Sequence, residues 1–325
     1  MNPNRLIPSL PDAAKRVLLA CLLVFSAYLS VQLFNFSASN GDEDSDHQRY
    51  FNNSYKIFSL NLPEDLSFAN ELVPLEKLDV REKLDRELLV NTYWQSSSIL
   101  HHKRANRWFP VIEKILAEEQ VPDDLKYLAL IESGLTNVVS PAGATGFWQF
   151  LKETGKEYGL EIRPGVDERY HVELATRAAC LYLKEAKQKY GSWTLAAASY
   201  NMGMNGLDKQ LKRQKSDNYF DLLLNEETGR YVYRAIALKE ILTNSSQYGF
   251  HLREKDLYLP YAFYEIEVDS SVSDLAVLAF AYNTDYKTLK LLNPWLRDNS
   301  LQNPNHKTYL LKIPDTDFNS PLGDQ

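Results

Sequence analysis

Between residues 88 and 250 apolar side chains return at helical spacing in one short segment after another, and Gly or Pro closes nearly every segment. That pattern demands short helices packed on one another. "RWFPVIEKILAEEQ" ends before Val121-Pro122, and Pro122 opens the next segment with Asp123 and Asp124 in its first turn, where the helix dipole favours acids. Gly134, Gly191 and Gly203 stand where three further helices should end, and "RYVYRAIALKEILTN" is the last clear helix. From about residue 258 the pattern changes. "LYLPYAFYEIEVDSS" reads as a strand, "VSDLAVLAFAYNTDYKTLKLLNP" as two short helices and "YLLKIP" as a closing strand. The expected fold is therefore mainly α: a helical domain over 88–250, then a small α+β module of βααβ order over 258–316 and a tail over 317–325.

The N-terminal 39 residues read differently. Arg5, Lys15 and Arg16 precede "VLLACLLVFSAYLSVQLFNF", residues 17–36. This is about the length of one bilayer-crossing helix. The positive flank places the N-terminus in the cytoplasm and exports the rest. The stretch is read as an inner-membrane anchor, with a signal peptide cleaved at "SAS", 37–39, as the alternative. Lipidation at Cys21 is set aside, because too short an apolar run precedes it. Residues 40–87 are expected to be a linker, acidic and flexible at 40–46, leading into an amphipathic helix, "LEKLDVREKLDRELL".

Charge and composition narrow the function. The net charge of −7 disfavours a general nucleic-acid binder. The two cysteines and six histidines form neither a disulfide framework nor a metal-ligand spacing, so no metal or cofactor is expected. The His101-His102 pair is read as surface.

One charge sits where an apolar residue belongs. In "LALIESGLTN", residues 128–137, Leu125, Leu128, Ala129 and Glu132 fall at i, i+3, i+4 and i+7 on one helical face. Such a Glu is more often a rim residue or an ion-paired one. The alternative is a carboxyl group whose pKa is raised by apolar neighbours, able to hold a proton near neutral pH and donate it.

Four short stretches lie around element ends: Glu132-Ser133; "SPAGATGFWQF", 140–150; "ASYN", 198–201; and "ETGRYVYR", 227–234, where Tyr231 opens a helix. Singly, each is an ordinary turn, loop or boundary residue. In this order they resemble the catalytic domain of the soluble-lytic-transglycosylase type, in the form of its murein transglycosylase D branch. The matching text over residues 122–238 is "YLALIESGL", "SPAGATGFWQF", "YGLEIRPGVDERY", "ATRAACLYLKEAKQKYGSWTLAAASYNMG" and "ETGRYVYRAIALKEI". His171-Val172 departs from the Asp-Pro usual in that branch and should affect only a helix start. The resemblance implies a goose-lysozyme-like fold. It implies that Glu132 is the single catalytic acid and base, and that Ser133, Gly146, Gln149, Tyr200, Asn201 and Tyr231 lie along the glycan.

None of the four stretches is read as supplying a second carboxylate, whereas ordinary glycosidases use two. The implied reaction is a lyase reaction on peptidoglycan strands that ends in 1,6-anhydro-N-acetylmuramic acid. A hydrolytic muramidase of the same fold and a non-catalytic wall-binding protein are the alternatives. Residues 261–314 resemble LysM, a glycan-binding module, through Tyr264, Ile266, "LKLLNP" and "LKIP", with "DSSVSD" in place of the usual Gly-Asp-Thr turn. Glycan binding and a purely structural role both remain open for it. The expected location is the periplasmic side of the inner membrane, with no nucleic-acid partner.

Overall fold

The structure, a computed structural model, describes residues 12–54 and 57–319. The chain forms two units, 1–59 and 60–325. The first unit consists of helix α1 (Asp12–Ser54). It continues through 40–46, so the segment expected as a flexible linker is helical instead. No proline interrupts 12–54, and the cost of its one glycine, Gly41, is about 1 kcal/mol. Leu22, Leu23, Val24 and Phe25 stand exposed on α1. Among the described residues, no helix is long and apolar enough to cross a membrane. The ends of the apolar run, 17–18 and 31–36, lie outside the residues whose side chains are described, as do Arg5, Lys15, Arg16 and the end of the tail, 320–325.

The second unit opens with a short hairpin, β1 (Ser67–Phe68) and β2 (Glu71–Leu72). Eight helices follow: α2 (Leu78–Tyr93), α3 (Gln95–Glu118), α4 (Lys126–Ser133), α5 (Lys152–Glu157), α6 (Val172–Tyr190), α7 (Trp193–Met202), α8 (Met204–Gln214) and α9 (Glu226–Thr243). Between α5 and α6 runs a second hairpin, β3 (Ile162–Arg163) and β4 (Val166–Asp167). The longer helices each bury one stripe. On α2 the stripe is Val80, Leu84, Glu87 and Leu88, at i, i+4, i+7 and i+8. The helical core reaches back to Phe68, so the expected start at 88 falls inside α2. Asp123–Leu125, after Pro122, is a tight 3-10 turn that feeds α4.

The C-terminal module has the βααβ order read from the sequence: β5 (Phe263–Val268), α10 (Leu275–Ala281), α11 (Tyr286–Leu292) and β6 (Tyr309–Pro314). β5 and β6 pair antiparallel with Tyr264 opposite Ile313 and Ile266 opposite Leu311. Asp274 and Asp285 cap the two helices. The module's core of Leu275, Leu289, Trp295, Leu296, Leu311 and Ile313 includes Val166 from β4. The join is also made by backbone: Asp167 N–H donates to Trp295 O at 2.9 Å and Arg297 N–H to Gly165 O at 2.9 Å. Lys307 bridges Glu161 and Glu168 at 2.6 and 3.1 Å.

The His101-His102 pair is not surface. Both rings are half-buried under α3, and burial, with the Arg104 charge next, lowers His101 to about 4.

Candidate active site

α4 has eight residues, and Leu128, Ala129 and Leu130 bury its inner stripe. Glu132 rides on the edge of that stripe. Gly134 ends the helix in the left-handed conformation, φ +60°, which a side chain would strain. Its carbonyl accepts from Arg104 Nη1 at 3.1 Å. Because the helix stops two residues later, the Glu132 carboxyl is left half-buried, hemmed in by protein but in touch with solvent.

Burial pushes the Glu132 carboxyl up to about 7. The Tyr231 hydroxyl opposes this by donating to Oε1 at 2.6 Å, the Glu227 charge adds to the rise, and Arg234 pulls down. All three come from α9, where Glu227, Tyr231 and Arg234 fall at i, i+4 and i+7 on one face. The helix opens at Glu226 with Asn225 as its cap, so Tyr231 lies in its second turn and does not open it. Burial, reinforced by the Glu132 charge, holds the hydroxyls of Tyr200 and Tyr231 well above the usual phenol range, so both remain protonated donors.

The loop from 135 to 151 forms the opposite wall. Ser133 Oγ donates to Phe147 O at 2.9 Å and to Ala129 O at 3.1 Å. Gln149 Nε2 donates to Gly146 O at 2.8 Å and Val138 O at 3.0 Å. Tyr200 Oη donates to Trp148 O at 2.8 Å, and the buried Trp148 Nε1 to Thr176 Oγ1 at 2.8 Å. Gly146 has φ +82°, and a Cβ there would lie 1.9 Å from Arg169 O. Asn201 ties α7 to α9: its Oδ1 accepts from Thr228 Oγ1 at 2.7 Å and its Nδ2 donates to Glu227 Oε1 at 3.2 Å.

The structure thus brings Glu132 and Tyr231 into direct contact. It places Ser133, Gly146, Gln149 and Tyr200 on the loop backbone, which they fix, and Asn201 on Glu227. The reading that the four stretches lack a second carboxylate is corrected. Glu227, inside the fourth stretch, is near enough for its charge to raise Glu132. Its position four residues before Tyr231 on a helix is the signal that could have found it. Glu87 of α2 also escapes the sequence. It is 1% exposed and receives Arg230 Nε at 2.6 Å and Arg86 Nη1 at 2.8 Å, with Arg234 Nε at 4.0 Å. Only the fold brings it beside α9, since Arg230 is 143 residues away in sequence.

Chemically, the arrangement offers one carboxyl that carries a proton near neutral pH and can give it up and take it back. Among the described residues, no group of His, Cys, Asp or Glu side chains could hold a metal ion.

Residues 109–222 match the family model of the transglycosylase SLT domain, and residues 264–317 that of the soluble lytic transglycosylase C-terminal LysM-like domain. The chain is 30% identical over 217 residues to the membrane-bound lytic murein transglycosylase D of Escherichia coli strain K12, and equally to that of Escherichia coli O6:H1 strain CFT073. The alignment covers 64% of this chain and 47% of each relative, so the chain spans about half the length of the curated relatives it matches. These matches bear out the resemblance read from the sequence, for the helical domain and for the C-terminal module alike.

Proposed function

We propose that this chain, which carries a transglycosylase SLT domain and a LysM-like module, is a peptidoglycan lytic transglycosylase. It cleaves the β-1,4 bond between N-acetylmuramic acid and N-acetylglucosamine without water. The observation that carries the reading is the Glu132 carboxyl, raised to about 7 and held by Tyr231 at the mouth of a helix end. Protonated Glu132 gives its proton to the glycosidic oxygen as that bond breaks, while the muramyl N-acetyl group assists at the anomeric carbon. The resulting carboxylate takes the proton of the C6 hydroxyl of the same sugar. The C6 oxygen closes the 1,6-anhydro ring, and Glu132 is protonated again. A group with a pKa near the working pH suits both halves. Tyr231 steadies the carboxylate. Ser133, Gly146, Gln149 and Tyr200 set the wall that bears the sugar, and Asn201 fixes the Glu227 carboxylate; this positioning itself lowers the barrier.

Hydrolysis is the second reading, and Glu227 favours it, since it is a second carboxylate within electrostatic reach. Mass spectrometry of muropeptides released from purified peptidoglycan separates the two. Anhydro ends are expected; reducing ends, heavier by one water, would transfer the base role to Glu227. No release by folded protein that sediments with the wall would leave a binding protein.

The protein works on the exported side of the inner membrane, anchored through 17–36 or freed at 37–39. The exposed leucines of α1 and the name of the relatives, membrane-bound, support this. Extraction of the native protein from membranes only by detergent tests the anchor.

A further inference from the structure

A cavity of about 410 Å³ opens where the C-terminal module meets the helical domain, within the usual range for small-ligand sites. Neither Glu132 nor Tyr200, Asn201 or Tyr231 lines it. Its walls are aromatic: Trp108 and Phe147 from the helical domain, Trp295 from the module and Tyr261 from the segment between them. Three cations stand around it, Arg104, Arg107 and Lys290. Each bonds to backbone carbonyls: Arg104 to Gly134 O at 3.1 Å, Arg107 to Leu259 O at 2.7 Å and Lys290 to Asp298 O at 2.7 Å. None of the three is in an ion pair among the described residues, whereas the fourth cation of the lining, Lys312, is matched by Glu173. A chain of net charge −7 thus gathers three positive charges outside ion pairs around one aromatic cavity, with the Asp298 charge acting on Lys290 and Glu173 turned to Lys312. A ligand that complements it carries a carboxylate and a ring with an apolar face.

We infer that this cavity binds a carboxylate-bearing amino sugar, the N-acetylmuramic acid unit of a glycan strand, as a second site beside the one that Glu132 and Tyr231 form. The anionic part rests on the cavity's own charges, and the choice of sugar rests on the proposed function. The site abuts the catalytic loop, because Leu135 and Phe147 line it and Phe147 O holds Ser133.

N-acetylmuramic acid divides into two probes, N-acetylglucosamine without the carboxylate and D-lactate without the ring. Each is titrated into the full chain and followed by tryptophan fluorescence, since Trp108 and Trp295 report from the cavity. The expected result is saturable binding of N-acetylmuramic acid at least about tenfold tighter than either probe, weakened about tenfold in K290Q and in R107Q but not in N201A. Equal binding of N-acetylglucosamine, equal binding of lactate, or loss in N201A with retention in both cavity variants would each overturn the inference. Muropeptide release is scored on the same samples. Release without cavity binding ends this inference alone, and cavity binding without release ends the lytic reading alone.

Discussion

Two half-buried glutamates of the helical domain, Glu132 and Glu173, have opposite proton affinities. Burial raises Glu132, and its partners, a tyrosine hydroxyl and Arg234, leave it at about 7. Burial also raises Glu173, but His171 Nδ1, 3.1 Å away, and the Lys312 charge outweigh it and bring Glu173 down to about 2. The desolvation is similar in kind; the partners differ. At the seam with the C-terminal module, the Lys312 charge holds a carboxylate ionised and ties two parts of the fold. At the end of α4, the nearest donor is neutral and the carboxyl keeps its proton. An ionised carboxylate and one that carries a proton near neutral pH differ here by which side chains the neighbouring elements supply.

The comparison can be broken most severely at Glu132 itself. Glu132→Gln keeps size and hydrogen bonding but removes the proton. Muropeptide release should fall by about 10²–10⁴-fold with the fold intact, as read by initial rates and circular dichroism.

At the seam, Lys312→Ala leaves Glu173 with His171 alone. A loss of about 2–3 kcal/mol in urea unfolding is expected, below that for a fully buried pair that loses its only partner. The sign with pH is definite. Glu173, depressed from 4.5, contributes stability that is complete above pH 4.5 and is lost as pH falls toward 2. In Lys312→Ala, Glu173 rises toward its ordinary value and acid unfolding begins at higher pH.

Tyr231→Phe removes the donor that lowers Glu132. The Glu132 pKa should rise, moving the alkaline limb of the pH–rate profile upward while release falls about tenfold. Glu87→Gln should move that limb down, because the Arg234 charge is then less compensated. Two variants that shift the limb in opposite directions separate tuning of Glu132 from loss of fold.

The smallest expected effect is on stability. Glu132, raised above 4.5, makes folding less favourable as pH climbs from 4.5 through 7. Glu132→Gln should therefore be more stable than the parent at pH 8, by about 1 kcal/mol after allowance for its contact with solvent. Thermal unfolding at pH 5 and pH 8 checks this; a gain at pH 5 as large as that at pH 8 would contradict it.

What the sequence shows and hides follows the range of the interactions. Glu132 could be singled out because periodicity is local, and Gly134 as a helix end for the same reason. The βααβ order of the module is legible from the change of pattern after residue 258, a strand-like run, two short helical runs and "YLLKIP". Partners are not. Ser133 and Gln149 are spent on backbone carbonyls of the loop, which spacing cannot reveal. Glu87 looks like one more charge on an amphipathic helix until α9 brings Arg230 to it. Glu173 and Lys312 lie 139 residues apart, so the seam becomes visible only when the module is docked. Composition alone points the wrong way at 40–46, whose acidic residues form helix where no proline stops it.

The most direct test of the account is a carbon-13 NMR titration of the side-chain carboxyls, with the Glu132 resonance assigned by its absence in Glu132→Gln. The account predicts a midpoint near 7 for Glu132, with Glu173 still ionised below pH 4. A Glu132 midpoint at or below the ordinary 4.5 would mean that it holds no proton at working pH, and the acid would have to be sought elsewhere.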